Sequence, residues 1–408
     1  MIGRVTQVGS GASKRLVDLL TVPQLSIATD GGAPIVDTIT YINATFTLSG
    51  SVAWSGTGKI RGRGNTTWAA PKKPYRVKLD ADAAFLLDAP ASKDWVLLAS
   101  YYDPSYVRTQ IAREMARRAS GIGWTPNFRF VEVTLNGVYL GLYLLGENVK
   151  VSSGRLNIDK MAAGDVSGRN LTGGWSLEID QRMEVQSTPG FRTLGQNVPI
   201  IYDEPDGAVA AQATYIQGHF NAFESALYGA NWLDPALGYA RYVDLPSWAD
   251  WYLLNELTRN LDSNGYSSIK LYKARDAADG TLGKIFLGPP WDFDNSLGNN
   301  FRLFNQPSSG LWVRTSSEGG AHPGFQWIVR LFNDPAWRAL VWARWQVFRA
   351  GLPAAINAHS TRSLQTVWHG AVRDQAKWSL SVDRAQQLSQ MNTWLTDRAA
   401  FLDGALAP

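Results

Sequence analysis

The chain reads as an α+β protein, with a β-rich first half and a mainly helical second half. Three observations predict this. Apolar and polar residues alternate between Gly, Asp and Pro up to about residue 150, helical periodicity takes over from about residue 208, and a Gly-, Ser- and Asp-rich stretch from Ser152 to Asn170 lies between the two. Alternation puts successive side chains on opposite faces of a strand. Spacings of three and four gather apolar residues into one stripe of a helix.

In the first half, Thr38 to Leu48 and Tyr75 to Leu79 alternate as strands and are expected to join an antiparallel sheet. One helix interrupts them. After Asp103-Pro104, the stretch Ser105 to Ala119 places Val107, Ile111, Met115 and Ala119 on one face. Phe128 to Leu135 and Val138 to Leu145, joined by Asn136-Gly137, form the strongest hairpin signal, because both turn residues tolerate positive φ. In the second half, helices are predicted over Ala208 to Leu227, Pro246 to Asn260, Phe325 to Gly351 and Val382 to Leu402. A β-like insert, Ile269 to Tyr272 then Lys284 to Leu287, falls among them. With 408 residues, the chain is expected to form two lobes, 1–150 and 151–408, around a cleft.

Composition narrows the function. Hydrophobic residues at 45% and charged residues at 18% describe an ordered globular chain. The net charge of +4 is spread along the sequence, which does not indicate a general nucleic-acid binder. Basic residues concentrate only between Lys59 and Lys78, where seven Lys or Arg fall within twenty positions and would meet an anionic ligand. With no cysteine, disulfides, thiol nucleophiles, zinc-thiolate sites and iron-sulfur clusters are excluded. Most of the 17 tryptophans are expected in the core, a few serving as platforms for a sugar or base. The first twenty residues lack the apolar run of a secretory signal and no window approaches a membrane span, so the expectation is a soluble, unexported protein, cytoplasmic or virion-associated.

The sharpest motif is GPPWDFDNSLGN, residues 288 to 299, where Asp292 and Asp294 follow two prolines. Carboxylates at this spacing can hold a hard divalent cation that bridges phosphates. Three other readings stand beside it: a turn satisfying its own amides, a calcium loop through Asp292, Asp294 and Ser296, and a metal-nucleotide-sugar transferase. The calcium loop is disfavoured because Gly falls at its seventh place and Leu303 at its twelfth. A second polar cluster, Asn260-Leu261-Asp262-Ser263-Asn264, closes a predicted helix thirty residues before Asp292. There Asp262 is either a turn residue or the acceptor of a hydroxyl proton. The glycine-rich bend and basic strand from Lys59 to Leu79 suit phosphate, although no Walker A loop is present. Tyr139 to Asn148, ending at Glu147, suits a hinge strand, and Glu178 and Asp180 share one face of a predicted strand.

Together these pieces resemble the CotH family of atypical protein kinases. The resemblance rests on Pro23-Gln24-Leu25-Ser26-Ile27, Tyr41-Ile42-Asn43-Ala44, RGRGNTTW, PKKPYRVKL, GVYLGLYLLGEN, GGWSLEID, NLDSNG and PWDFDNSLG, in that order along most of the chain. It implies a two-lobed, divergent protein-kinase-like fold that binds ATP with Mg²⁺ or Mn²⁺ and phosphorylates Ser or Thr of a protein acceptor. By the same resemblance, Asp262 is the catalytic Asp and Asp292 the metal-binding Asp, with Asp294 a further ligand. Arg61, Arg63, Lys73 and Lys78 are implied phosphate contacts, and Glu178 or Glu114 would orient one of the two lysines. Glu147 and Trp291 complete the nucleotide-binding set. Where family members often carry Asn, this chain has Ser268, which puts a second metal site in doubt. Asn264 is the candidate replacement. Adenylylation, amino-acid ligation, and a non-catalytic role, as a pseudokinase or as a structural protein such as a phage-particle component, are the alternatives.

Overall fold

Strand β1 (Gln24–Thr29) buries alternate residues, as do β2 (Ile42–Ser49) and β4 (Tyr75–Ala83) over much of their length. A sheet with one apolar face must cover it. Here it does so by closing on itself, in the strand order β1-β2-β3-β4-β5-β7-β6. The remaining barrel strands are β3 (Trp54–Gly62), β5 (Ser92–Leu98), β6 (Phe128–Leu135) and β7 (Val138–Glu147). Leu25, Ile27, Phe46, Ile60, Val77, Trp95, Val133 and Tyr143 fill the interior. The sheet is therefore not purely antiparallel as expected. β1 pairs antiparallel with β2 but parallel with β6, Gln24 opposite Glu132, and that parallel seam is what shuts the barrel.

These elements belong to a computed structural model that describes residues 22–50, 53–85, 89–299, 306–315, 325–350, 352–380 and 382–408. The stretch read for a leader, and Leu303 and Gly351, lie outside them. The chain divides into two compact units. One comprises residues up to Val107, Asn127–Asn148 and His359–Arg384, and the other Arg108–Pro126, Val149–Ala358 and Ala385–Pro408. The chain crosses between the two units five times, and one of these crossings falls between Asn148 and Val149. The first unit is the barrel with a helical segment added late in sequence. It is pinned by Asp374, which accepts from Lys72 Nζ at 2.7 Å, from the Tyr106 hydroxyl at 2.9 Å and from the Leu142 amide at 2.8 Å. The Asn136-Gly137 hairpin forms as expected, with φ of +49° and +80°.

In the second unit, a five-stranded sheet of order β12-β11-β8-β10-β9 stands among the helices. Its strands are β8 (Trp175–Ile179), β9 (Gly190–Arg192), β10 (Pro199–Glu204), β11 (Ile269–Lys273) and β12 (Ile285–Leu287). The predicted insert thus becomes two strands of a larger sheet that β8 and β10 complete. Around it lie helices Arg108–Arg118, Ala210–Tyr228, Leu245–Thr258, Gln326–Leu331, Pro335–Arg349 and Arg384–Ala405. The single helix expected from Phe325 onward is two, because Asp334 caps a fresh start at Pro335 by accepting the Ala336 amide at 2.8 Å. Helix Leu352–Trp378 spans the end of one unit's sequence and the start of the other's. Among the described residues, no helix is long and apolar enough to cross a membrane.

Candidate active site

Helix Leu245–Thr258 is buried on all sides from Ser247 to Thr258, as a helix apolar around its whole circumference must be. Asp244 starts it, accepting the Ser247 amide at 2.9 Å. Arg259, at φ +47°, stops it by turning the backbone left-handed. The chain then makes a single 3₁₀ turn, Leu261–Asn264, that carries Asp262. This turn is fixed in place from three directions. Leu261 N–H donates to Asn295 O at 3.1 Å and Leu297 N–H donates to Thr258 O at 2.7 Å. Gln181, just past β8, donates its amide to Tyr266 O at 2.8 Å and its side chain to Gly265 O at 3.1 Å. The first two bonds lash the Asp262 turn to the Asp292 loop.

That loop is itself braced. Phe293 is buried, and Ser296 Oγ donates to Phe293 O at 2.6 Å. Arg108, fully buried, donates Nε to Ser296 O at 3.1 Å. Asp292 takes a left-handed φ of +64° and stays exposed, a conformation that Asp tolerates better than most residues but that is still uncommon. Its Oδ2 accepts from Ser268 Oγ at 3.0 Å. The residue where an Asn was expected therefore meets the metal-ligand candidate directly, through a shorter side chain.

The electrostatics follow from this geometry. Burial pushes the Asp262 carboxyl up to about 7, and the nearby Asp292 charge pushes the same way, while Arg182 and Ser267 draw it back and Asp180 adds a smaller upward push. A carboxyl held near neutrality can take up and release a proton under ordinary conditions. Asn264 is buried, and among the described residues its Oδ1 has no hydrogen-bond partner. Among the described residues no group of three or more His, Cys, Asp or Glu converges on one point. Asp262, Asp292 and the Asn264 amide offer only hard oxygens as donors. This fits an ion such as Mg²⁺, which keeps several waters and binds through one or two carboxylates together with substrate phosphates. Asp294 Oδ1 accepts the Asn295 amide at 3.0 Å and so caps the turn. Ser296, the third ligand of the calcium-loop reading, has its hydroxyl turned to Phe293 O.

The other sequence candidates have local contacts of their own. Glu178 is engaged by Lys270 Nζ at 2.6 Å, a lysine that also donates to Asp203 at 2.7 Å. Glu114 pairs with Arg118 one helical turn on, at 3.5 Å. Arg61 and Lys78 alternate with the buried Ile60, Gly62, Val77 and Leu79 and so lie on the outer face of the barrel, where Arg61 stacks over Tyr41 at 5.1 Å. Arg63 follows β3, its amide donating to Pro74 O at 3.2 Å, and Lys73 Nζ donates to Trp68 O at 2.7 Å. Glu147 is fully buried and accepts both the amide and the side chain of Asn127 at 2.8 Å. Trp291 is half-buried beside Asp292. Two residues escaped the sequence reading. Arg182 is a cation whose charge acts on Asp262. Lys72, rather than its neighbour Lys73, is the buried lysine of the basic stretch. The Leu-Glu-Ile-Asp alternation that singled out Asp180 was the available signal for Arg182, two residues further on.

The exit of a buried helix thus carries one carboxylate, and hydrogen bonds tie it to a loop that carries another. The chain matches the model of the CotH kinase protein family over residues 60–402 and belongs to that family. Membership makes it a kinase-like phosphotransferase by class. No curated protein matches it.

Proposed function

We propose that the chain is an ATP- and divalent-metal-dependent phosphotransferase of two-lobed, kinase-like design that acts on Ser or Thr hydroxyls of a protein acceptor. The observation that carries this reading is the pairing of Asp262 with Asp292, thirty residues apart in sequence and coupled through the Leu261–Asn295 and Leu297–Thr258 hydrogen bonds. Two carboxylates in unlike environments divide the labour. Exposed Asp292, with Asn264, would hold Mg²⁺ or Mn²⁺. Asp262, raised by burial, would accept the hydrogen bond of the attacking hydroxyl and orient it. When bound, the metal would supply charge neutralisation across the phosphates. The protein's own contribution is position: the turn carrying Asp262 has little freedom, so the hydroxyl would be presented with little further loss of entropy.

Labelled ATP tests the reading. Transfer of the γ-label to the chain itself or to a generic protein acceptor is expected, dependent on Mg²⁺ or Mn²⁺, and lost in both Asp262→Ala and Asp292→Ala. Nucleotide binding should survive the first substitution and weaken in the second. Transfer of the α-label would replace the assignment with adenylylation. Metal-dependent γ-transfer indifferent to both substitutions would place the chemistry elsewhere.

A further inference from the structure

β8 ends at Ile179 and the chain runs on through Asp180-Gln181-Arg182. Arg182 is gripped by Asp180 in a two-pronged ion pair, Nε to Oδ1 at 2.9 Å and Nη2 to Oδ2 at 2.8 Å. The Arg182 amide also donates to Asp180 Oδ1 at 2.8 Å, so side chain and backbone share one carboxylate. The guanidinium lies over the Tyr266 ring at 5.6 Å. Between them, Gln181 bonds twice to the turn that follows Asp262, at Tyr266 O and Gly265 O. The Tyr266 and Ser267 amides in turn donate back to Asp262 O at 3.2 and 3.3 Å.

The charges that act on Asp262 are those of Asp292, Arg182 and Asp180, and Arg182 is tied to the same turn through Tyr266. A guanidinium is planar and always charged, and one locked on both edges of a carboxylate has little rotamer freedom left to lose. We propose that Asp180-Gln181-Arg182 is a clamp on the Asp262 turn, with Arg182 as a positioning residue that holds the acceptor-orienting carboxylate in register with Asp292. This rests on the phosphotransfer reading for its catalytic consequence, though not for its structural one.

Two measurements on the full chain test it. Hydrogen exchange of the amides from Asp262 to Ser267 reads the clamp without reference to activity: exchange there should accelerate in Arg182→Met and in Asp180→Asn, with the barrel amides unchanged as a control for folding. In γ-phosphoryl transfer with Mg²⁺-ATP, Arg182→Met should lower kcat by about 10²-fold, the order expected for a misplaced catalytic group. KM for ATP should stay unchanged, and Arg182→Lys should recover part of the loss. Unaltered exchange of the turn in both variants overturns the clamp. So does a loss expressed wholly in KM for ATP. If the unsubstituted chain transfers no phosphate, the phosphotransfer reading fails while the exchange comparison still decides the clamp.

Discussion

Replacing Asp374 by Asn should destabilise the barrel unit by about 3 to 5 kcal/mol at pH 7, the cost of stranding a buried charge. Lys72 is 0% exposed and Asp374 1% exposed, and the carboxylate is the ion-pair partner of that ammonium at 2.7 Å. The variant also weakens acceptors for the Tyr106 hydroxyl and the Leu142 amide. The effect should depend on pH in a direction that identifies its cause. Burial already lowers Lys72 from 10.5 to about 8, with Asp374 opposing that fall. Below pH 8 the folded chain must carry the charge at a cost. As pH rises from 8 towards 10 the folded state sheds a proton that the unfolded state keeps, so folding gains stability from this group. At about 1.4 kcal/mol per pH unit, the gap between 10.5 and about 8 corresponds to about 3 kcal/mol. Without the carboxylate the folded pKa falls further, so the penalty of Asp374→Asn should be larger at pH 7 than at pH 9, where Lys72 is largely neutral in both proteins. Urea denaturation at the two pH values, with Leu142 amide exchange as the local probe, measures this. A penalty below about 1 kcal/mol, or one independent of pH, would refute the view that a stranded charge is what the substitution creates.

His219 is buried against Tyr215, Phe220 and Tyr242, and burial followed by the Lys273 charge lowers it to about 3. The unfolded chain takes up this proton near 6.5 and the folded chain refuses it, so stability should fall by up to about 1.4 kcal/mol per pH unit as pH drops below 6.5. Acid titration followed by circular dichroism should show a flatter dependence in His219→Phe. At the candidate site, Ser268→Ala removes the 3.0 Å hydrogen bond to Asp292. A bond to a charged acceptor contributes about 1.5 to 3 kcal/mol at most, so the half-saturating Mg²⁺ concentration for γ-transfer should shift by about tenfold, while an unchanged metal titration would show that Ser268 leaves the ligand indifferent.

Much of the architecture was legible because it is local. The Asn136-Gly137 hairpin, the helix ending before Asp262 and the strand Trp175–Ile179 all announce themselves through periodicity and turn chemistry within a dozen residues. Barrel closure did not, because a parallel seam between β1 and β6 joins segments about a hundred residues apart and leaves no mark in either one. The helix expected from Phe325 was merged across Asp334-Pro335 because apolar periodicity resumes directly after the break, although an Asp-Pro pair is itself a start signal.

The candidate site divides in the same way. Asp262 and Asp292 could be singled out from sequence alone, because a carboxylate at a buried helix exit and another amid Pro, Trp and Phe are chemically out of place unless they serve something. Residue type, order and spacing sufficed for that, and for membership of the CotH kinase family. Which charged groups stand beside them depends on the tertiary structure. Lys72 and Lys73 are neighbours of identical chemistry, yet one lies buried on Asp374 while the other bonds Trp68 O, a difference set by the direction each side chain takes from the backbone. Arg182 reaches Asp262's surroundings only because β8 and β11 pair antiparallel and bring their connecting turns together, and Glu178 is met by Lys270 across that same register. Coulomb interactions act through space and fall with distance, so they are decided by the packing of elements far apart in the chain.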